Sequence, residues 1–476
     1  MRRFGFIFFA ALLAAVSCVK PDSEPDPAVD QVPEGMTLSA SSLEAPAGGA
    51  TLSLTVTSPA RPKVSGLPDW IEFKDGTFNH YSITFTFTVA KNSVEKAREA
   101  TITVSAKGLD DQNFTVRQAA AEPEPEPTPP DQGADSDGWE NAAAAVLNMK
   151  TGWNLGNTLD TCGDWLDGQS VSRFETGWGQ AITTPALMQM FADAGFGAIR
   201  VPVTWYQHMD ANGKVDKAWM DRVEEVVNYV LDTGMYCILN VHHDTGTDGW
   251  LRADQTVYNT TRQRFIILWQ QIAERFKDYG PKLLFESFNE MLDTYNYWNE
   301  PKSTTSYTYI DKYNQDFVNA VRGTGSNNAK RNLVINDYCA SSVANAFAAL
   351  TIPTDSAKDH IIAEFHSYSP YMFAMYEGDG AITTWTEAAQ KEVQNQIKAI
   401  ATLASAKGVP FIIGEYGTTA PRAETEIAKQ VKCYVETCKQ YGGVCFCWML
   451  LSDGADRSVP KWTKPYIKDA IIRAAR

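Results

Sequence analysis

The chain has 476 residues, of which 44% are hydrophobic, 11% aromatic and 21% charged, a composition that excludes a small disulfide scaffold, a polytopic membrane protein and wholesale disorder. Asp and Glu number 57 against 42 Lys and Arg, a net charge of -15, so the long-range field repels polyanions and argues against a nucleic-acid partner. A neutral substrate fits that balance.

Arg2 and Arg3 precede an apolar run from Phe4 to Val16, too short to span a bilayer comfortably, and residues 1–17 read as a signal peptide. The run closes on LLAAVSC, which resembles a lipobox with Ala15 in place of the usual leucine. That resemblance implies lipidation of Cys18. The acidic, Pro-rich stretch that follows, VKPDSEPDPAVD, reads as a flexible tether over residues 18–35. It is similar to the tether of a surface-exposed Bacteroidetes lipoprotein, which implies an outer-membrane anchor with the protein facing outward. Eight cysteines less Cys18 leave seven, so at least one lacks a partner within the chain. Cys445 and Cys447 alternate with Val444 and Phe446 in an apolar run, and they and Cys433 and Cys438 read as small core residues. Cys433 and Cys438 stand five apart on a helical segment and point in different directions.

From Met36 to Ala119 short alternating runs, TLSLTV, YSITFTFTV, ATITVSA and FTVRQ, are separated by Gly, Pro, Asp and Asn. Residues 36–119 are expected to form a small all-β, immunoglobulin-like sandwich. Its closing pattern, REATITVSAKGLDDQNFTVRQ, resembles BACON domains, which implies either a spacer or a sugar-binding module. Trp70, Phe78 and Tyr81 are the available stacking residues, and core packing is their expected use. Residues 120–137 alternate Pro and Glu with almost no apolar content, as a semi-rigid extended linker does.

The remainder, 138–476, repeats β-rich runs at GWNLGN (152), AIRVPV (198), YCILNVHH (236), LLFESFNE (283), NLVINDY (332), IIAEFHSY (361), FIIGEYG (411) and VCFCWML (444). Between them the spacing predicts amphipathic helices. The first has Thr184 as N-cap, Pro185 at its first position and Gly195 past its last turn, and others are expected over 216–233, 262–279, 386–407 and 421–440. Eight strand and helix repeats predict an α/β fold, a closed (β/α)8 barrel.

Polar residues gather at the carboxyl ends of these runs: Asn154 and Asn157, Arg200, His242 and His243, Asn289 and Glu290, Asn336 and Asp337, His366 and Tyr368, Glu415, and Trp448. A barrel of this kind builds its active site there. Glu290 and Glu415 close the fourth and seventh runs, on nearly opposing walls of the mouth. Such a pair suits glycoside hydrolysis, in which one carboxyl protonates the leaving oxygen and the other attacks the anomeric carbon. Glu286 shares the parity of Glu290 one layer deeper and is expected to make an internal hydrogen bond, with Glu364 similarly buried or turned outward. His242, His243 and Asp244 invite a metal reading, but adjacent strand residues face opposite ways, so no metal is expected and sugar hydrogen bonding is assigned instead.

NLGNTLD, RVPVTW, NVHHD, FESFNE, HSYSPY, IGEYG and Trp448 together resemble glycoside hydrolase family 5, subfamily 4, across residues 139–476. The resemblance implies that Glu290 is the acid/base and Glu415 the nucleophile. It implies further that Asn289 bonds the sugar 2-hydroxyl, that Arg200 and Tyr368 hold the nucleophile, that His366 contacts the acid/base or sugar, and that Trp448 forms a stacking platform. Asn157, His242 and His243 complete the expected sugar contacts. The family carries Pro after the acid/base where this chain has Met291, a change of loop shape rather than of chemistry. Loops bearing Trp165, Trp178, Trp250, Tyr295, Tyr297 and Trp298 suggest an open cleft, with Trp178, Trp250 and Trp298 favoured by their loop positions and Trp178 and Trp298 assigned to substrate binding. The activity implied is a retaining endo-β-1,4-glucanase of plant cell-wall glucans, acting as a monomer without cofactor. The rivals are an endo-β-1,4-mannanase and a non-catalytic surface glycan-binding lipoprotein.

Overall fold

The computed structural model describes residues 32–94, 96–121, 139–448 and 454–476. They fall into two compact units, one ending at residue 125 and the other beginning at 126. The signal peptide, Cys18, most of the tether, nearly all of the linker and the end of the eighth run lie outside the described residues.

In the first unit the strands are β1 (Thr37–Leu38), β2 (Ser42–Ala45), β3 (Ala50–Thr57), β4 (Lys63–Ser65), β5 (Ile71–Lys74), β6 (Ser82–Val89), β7 (Arg98–Ser105) and β8 (Gln112–Gln118). They form two four-stranded sheets, ordered β1-β3-β6-β5 and β2-β8-β7-β4. Every second residue of the long strands is apolar, and Leu54, Val56, Phe85, Phe87, Ile102, Val104 and Val116 are fully buried, as a half-buried strand requires. The runs read from sequence are β3, β6, β7 and β8; the other four strands are too short to show an alternation. Trp70 and Phe78 pack against this core. The Arg98 guanidinium covers the Trp70 ring at 4.5 Å and donates to the buried Gln118, so Trp70 is committed to packing.

In the second unit all eight expected runs are strands: β9 (Gly152–Asn154), β10 (Ala198–Val201), β11 (Tyr236–Asn240), β12 (Leu283–Glu286), β13 (Leu333–Asn336), β14 (Ile361–Ser367), β15 (Phe411–Tyr416) and β16 (Val444–Cys447). They close into a parallel barrel in sequence order, with β16 pairing β9. The helix Pro185–Ala194 has the expected ends: the Thr184 side chain accepts from the Leu187 N–H, and Gly195 is left-handed at φ 105°. The helices Lys217–Asp232, Glu387–Lys407 and Glu424–Gln440 match their expected spans closely. The helix expected over 262–279 instead runs Gln255–Arg275, because Asp254 caps it by accepting from the N–H groups of Thr256 and Val257. Three helices of eight residues or more lie outside the expected set, Thr305–Arg322, Pro465–Ala475, and Ala142–Met149, whose N-cap is Asn141. Ala142, Ala145, Val146 and Met149 of that last helix pack with inward-facing strand residues such as Ile238, Leu284, Val334 and Ile412, and so close the barrel floor.

The cysteines 162, 237, 339, 433, 438, 445 and 447 are all thiols, buried except for Cys162, which is half-buried. For Cys433, Cys438, Cys445 and Cys447 that agrees with their reading as small core residues.

Candidate active site

Strand residues that follow the apolar floor on the inward face are polar: Asn154, Arg200, Asn240, Glu286, Asn336 and Glu364, every one of them buried. Arg200, at 0% exposure, organises this layer. Its Nε and Nη2 donate to the two oxygens of Glu286 at 2.6 and 2.8 Å. Nη1 donates to Asn154 Oδ1 at 2.9 Å and to Glu415 Oε1 at 2.8 Å, and Nη2 also donates to Asn289 Oδ1 at 2.8 Å. The guanidinium fork thus orients two carboxylates and two amides at once. The internal bond expected of Glu286 is its bidentate pair with Arg200.

Glu415 faces inward because β15 is irregular. Phe365 pairs with Ile413 but His366 pairs with Glu415, so Gly414 is an extra residue. Ile412 packs on the barrel floor and Ile413 packs outward against the helices, so strict alternation would turn Glu415 outward; the bulge restores it to the inner face. There its Oε1 takes the Arg200 bond and its Oε2 accepts from the Tyr368 hydroxyl at 2.8 Å. Burial pushes the Glu415 carboxyl up, but His366, Arg200 and Tyr368 together outweigh burial and hold it below the ordinary range.

Glu290 lies four residues beyond the end of β12, and His366 spans the gap between the two carboxylates. His366 Nδ1 is 2.8 Å from Glu290 Oε1 and 3.7 Å from Glu415 Oε2. Burial alone would depress this imidazole, yet Glu415, Glu290 and Glu364 raise it to about 10, so it carries both N–H groups at neutral pH. One oxygen each of Glu290 and Glu415 and one His366 nitrogen lie within 4.8 Å of one another. The side chains differ in exposure, 23% for Glu290 against 7% for Glu415. Glu364 faces the same interior, 3.2 Å from His366 Nε2 and 3.5 Å from Arg200 Nε, which removes the outward alternative.

The two histidines after β11 correct a second expectation. The strand ends at Asn240, and the His242 and His243 ring centroids stand 4.6 Å apart, so strand alternation does not separate them. One ligand atom each of Asp160, His242 and His243 even falls within 4.8 Å. Hydrogen bonding nevertheless commits His242 elsewhere. Asn240 Oδ1 accepts from the Val203 N–H and its Nδ2 donates to Glu286 Oε1, which fixes the amide, so Nδ2 also donates to His242 Nδ1 at 3.0 Å. His242 therefore carries its proton on Nε2, and burial with the neighbouring His243 keeps it neutral, well below its ordinary value. A ring with Nδ1 occupied and Nε2 protonated is a donor to a hydroxyl and a poor metal ligand.

Trp448 follows β16 at 7% exposure. Its indole lies parallel to the His242 ring at 5.7 Å, and a Cβ at Gly156 would fall 2.4 Å from it, so glycine is required there. Asn157 sits in the adjoining turn with its N–H on Asp160 Oδ2. His243 meets Trp178 edge-on at 5.3 Å, which brings Trp178 to the same rim. Trp298 is half-exposed on the loop after β12. Asp293 shapes that loop, accepting from the N–H groups of Tyr295, Tyr297 and Lys302. Trp250 differs from its expected cleft position, since its Nε1 donates to Asp244 Oδ1 at 2.6 Å and its ring packs on the core. Asn240 and Glu364 are the site residues that sequence reading missed or undervalued; their spacing two residues before His242 and His366 was the available signal.

Residues 160–454 match the cellulase family, glycosyl hydrolase family 5, and residues 63–119 match BACON, a putative N-terminal binding domain. The chain is 34% identical over 345 residues to an endoglucanase A of Clostridium longisporum, covering 70% of this chain and 66% of that enzyme, so it spans just under two thirds of that relative. It is 33% identical over 394 residues to a xyloglucan-specific endo-beta-1,4-glucanase of Bacteroides ovatus, covering 79% of this chain and 76% of that one. A family 5 enzyme of Prevotella bryantii, solved as a variant with a xyloglucan tetradecasaccharide, superposes with a TM-score of 0.67 at 40% identity, over 71% of this chain and 99% of that one.

Proposed function

The chain belongs to glycoside hydrolase family 5, and from that premise we propose that it is a retaining endo-β-1,4-glucanase acting on plant cell-wall glucans. The supporting observation is the carboxylate pair: oxygens of Glu290 and Glu415 approach within 4.8 Å. Retaining enzymes need carboxyls about 5–5.5 Å apart, whereas inverting ones leave about 6.5–9.5 Å for a water.

Glu415, held ionised by Arg200, Tyr368 and His366, attacks the anomeric carbon. Glu290 gives its proton to the leaving oxygen, which departs as the free hydroxyl of the shortened chain. A water then enters, loses a proton to Glu290 and displaces Glu415, restoring both groups. Asn289 spends its Oδ1 on Arg200, so its N–H groups serve the sugar 2-hydroxyl, and the Nε2–H of His242 serves a further hydroxyl. Trp448 supplies the platform for the attacked sugar. Trp178 and Trp298, on loops at the rim, extend the cleft along a polymer, and branched and unbranched glucans are both candidate substrates.

The test is product analysis of the purified chain lacking residues 1–17 on carboxymethyl cellulose, mixed-linkage β-glucan, xyloglucan, glucomannan and galactomannan. Proton NMR of the nascent anomer runs alongside. Oligosaccharides released from glucans with the β-anomer formed first are expected; binding without release, or first formation of the α-anomer, rejects the proposal. Anchoring through Cys18 is proposed with it, on the lipobox resemblance. Cys18→Ala is expected to move the protein from the detergent phase to the aqueous phase, and unchanged partition removes the anchor.

A further inference from the structure

Glu364 is a carboxylate of this centre to which the proposed reaction gives no task. It shares the inner face of β14 with His366 and is fully buried, with Oε2 lacking a partner among the described residues. The His366 ring bridges two carboxyls, its Nδ1 2.8 Å from Glu290 Oε1 and its Nε2 3.2 Å from Glu364 Oε1. An independent feature of the fold makes room for that second contact. A Cβ at Gly414, the extra residue of the β15 bulge, would lie 1.5 Å from Glu364 Oε1. The bulge that turns Glu415 inward thus also vacates the space that the Glu364 carboxyl fills.

We infer that Glu364 is a positioning residue for the acid/base, acting on Glu290 through His366: it holds the imidazole with Nε2–H directed inward, so that Nδ1–H is presented to the Glu290 carboxyl. This deepens the proposed function and rests on its assignment of Glu290. The charged and titratable groups facing Glu364 are Arg200 from β10, Glu286 from β12, Asp337 after β13 and His366 from its own strand, while β15 presents Gly414. Burial and the charge of Glu286 push the Glu364 carboxyl up to about 7, against the pull of Arg200 and His366. It can accept from Nε2–H whether neutral or ionised, so the ring keeps its aim through the protonation cycle of Glu290.

The test separates loss of acid assistance from general damage. Departure of a sugar oxygen requires a proton from Glu290, whereas departure of dinitrophenolate does not. Glu364→Ala, which leaves the His366 Nε2–H without its acceptor, is expected to lower kcat/KM on soluble mixed-linkage β-glucan by about ten-fold or more, within the range of general acid catalysis. It should leave kcat/KM on dinitrophenyl β-cellobioside within about two-fold. Equal loss on both substrates, or loss on neither, overturns the inference. Glu290→Ala runs in parallel and should show the same pattern more strongly; if it does not, the acid/base assignment falls and the inference with it. Should Glu364→Ala not accumulate as folded protein, Glu364→Leu makes the same test, since it fills the space of the carboxyl without offering an acceptor to His366 Nε2–H.

Discussion

The floor and the mouth of the barrel are built from the same strands, yet one is hydrocarbon and the other is charge. At the floor, Ile238, Leu284, Val334 and Ile362 pack on the helix Ala142–Met149. Two residues further along, Asn240, Glu286, Asn336 and Glu364 occupy the same inward positions and are equally buried. The floor is stabilised by removal of apolar surface from water. The mouth is a layer of buried amides and carboxyls gathered around Arg200 and His366, a poor source of stability but a fixed electrostatic environment for a reaction. Stability and chemistry are thereby placed on successive layers of one sheet.

That division predicts opposite outcomes for substitutions a few residues apart. The largest effect is expected at Glu415→Gln, which removes the attacking oxygen anion and should lower turnover of soluble glucan by ~10,000-fold or more, with melting temperature little changed; near-normal turnover in a steady-state assay refutes the nucleophile. Leu284→Ala, on the fully buried floor, should cost about 2–5 kcal/mol in denaturant unfolding. Its folded fraction should retain kcat, and a large kcat loss would show that the two layers are not separable. A smaller effect is expected of pH. His366 is raised from 6.5 to about 10 on folding, so its stabilising contribution is complete below the unfolded value and is lost as pH climbs towards 10. Glu364, raised to about 7, also loses stability with rising pH, between its unfolded value of 4.5 and 7. Glu415, held low, acts in the reverse sense and loses its contribution as pH falls through its folded value. Melting temperature should therefore decline from pH 6.5 to 10, and the decline should flatten in His366→Gln; an unchanged slope in that variant assigns it to other groups. The smallest effect is expected on removal of residues 19–137. Trp70 is covered by Arg98 and packs with Phe78 on the sandwich core, so kcat/KM on soluble glucans should stay within about two-fold; a larger loss would give the sandwich a share in binding.

Much of this is legible in the sequence. Alternation located β3, β6, β7 and β8, and eight β-rich runs located every barrel strand, because period and composition are local properties of the chain. The polar residues at the run ends named Glu290, Glu415, Arg200, His366 and Tyr368. Where propensity was ambiguous the reading failed: Thr305–Arg322 carries Tyr309, Tyr313 and Phe317 on its buried face, aromatic residues that favour strands as readily as helices. The helix Gln255–Arg275 was started late because its cap, Asp254, precedes a polar turn with little apolar spacing.

The sequence by itself determined the barrel, the two carboxylates and the residue types around them, since these follow from patterns a few residues long. Tertiary structure alone decided which way those groups face and what charge they carry. The Gly414 bulge exists only as a pairing of β15 with β14, and the His242 proton is placed by Asn240 through Val203 and Glu286. The His366 charge comes from carboxylates that lie up to 76 positions away along the chain. Register and long-range electrostatics belong to contacts between distant segments, and no local pattern in a chain encodes them.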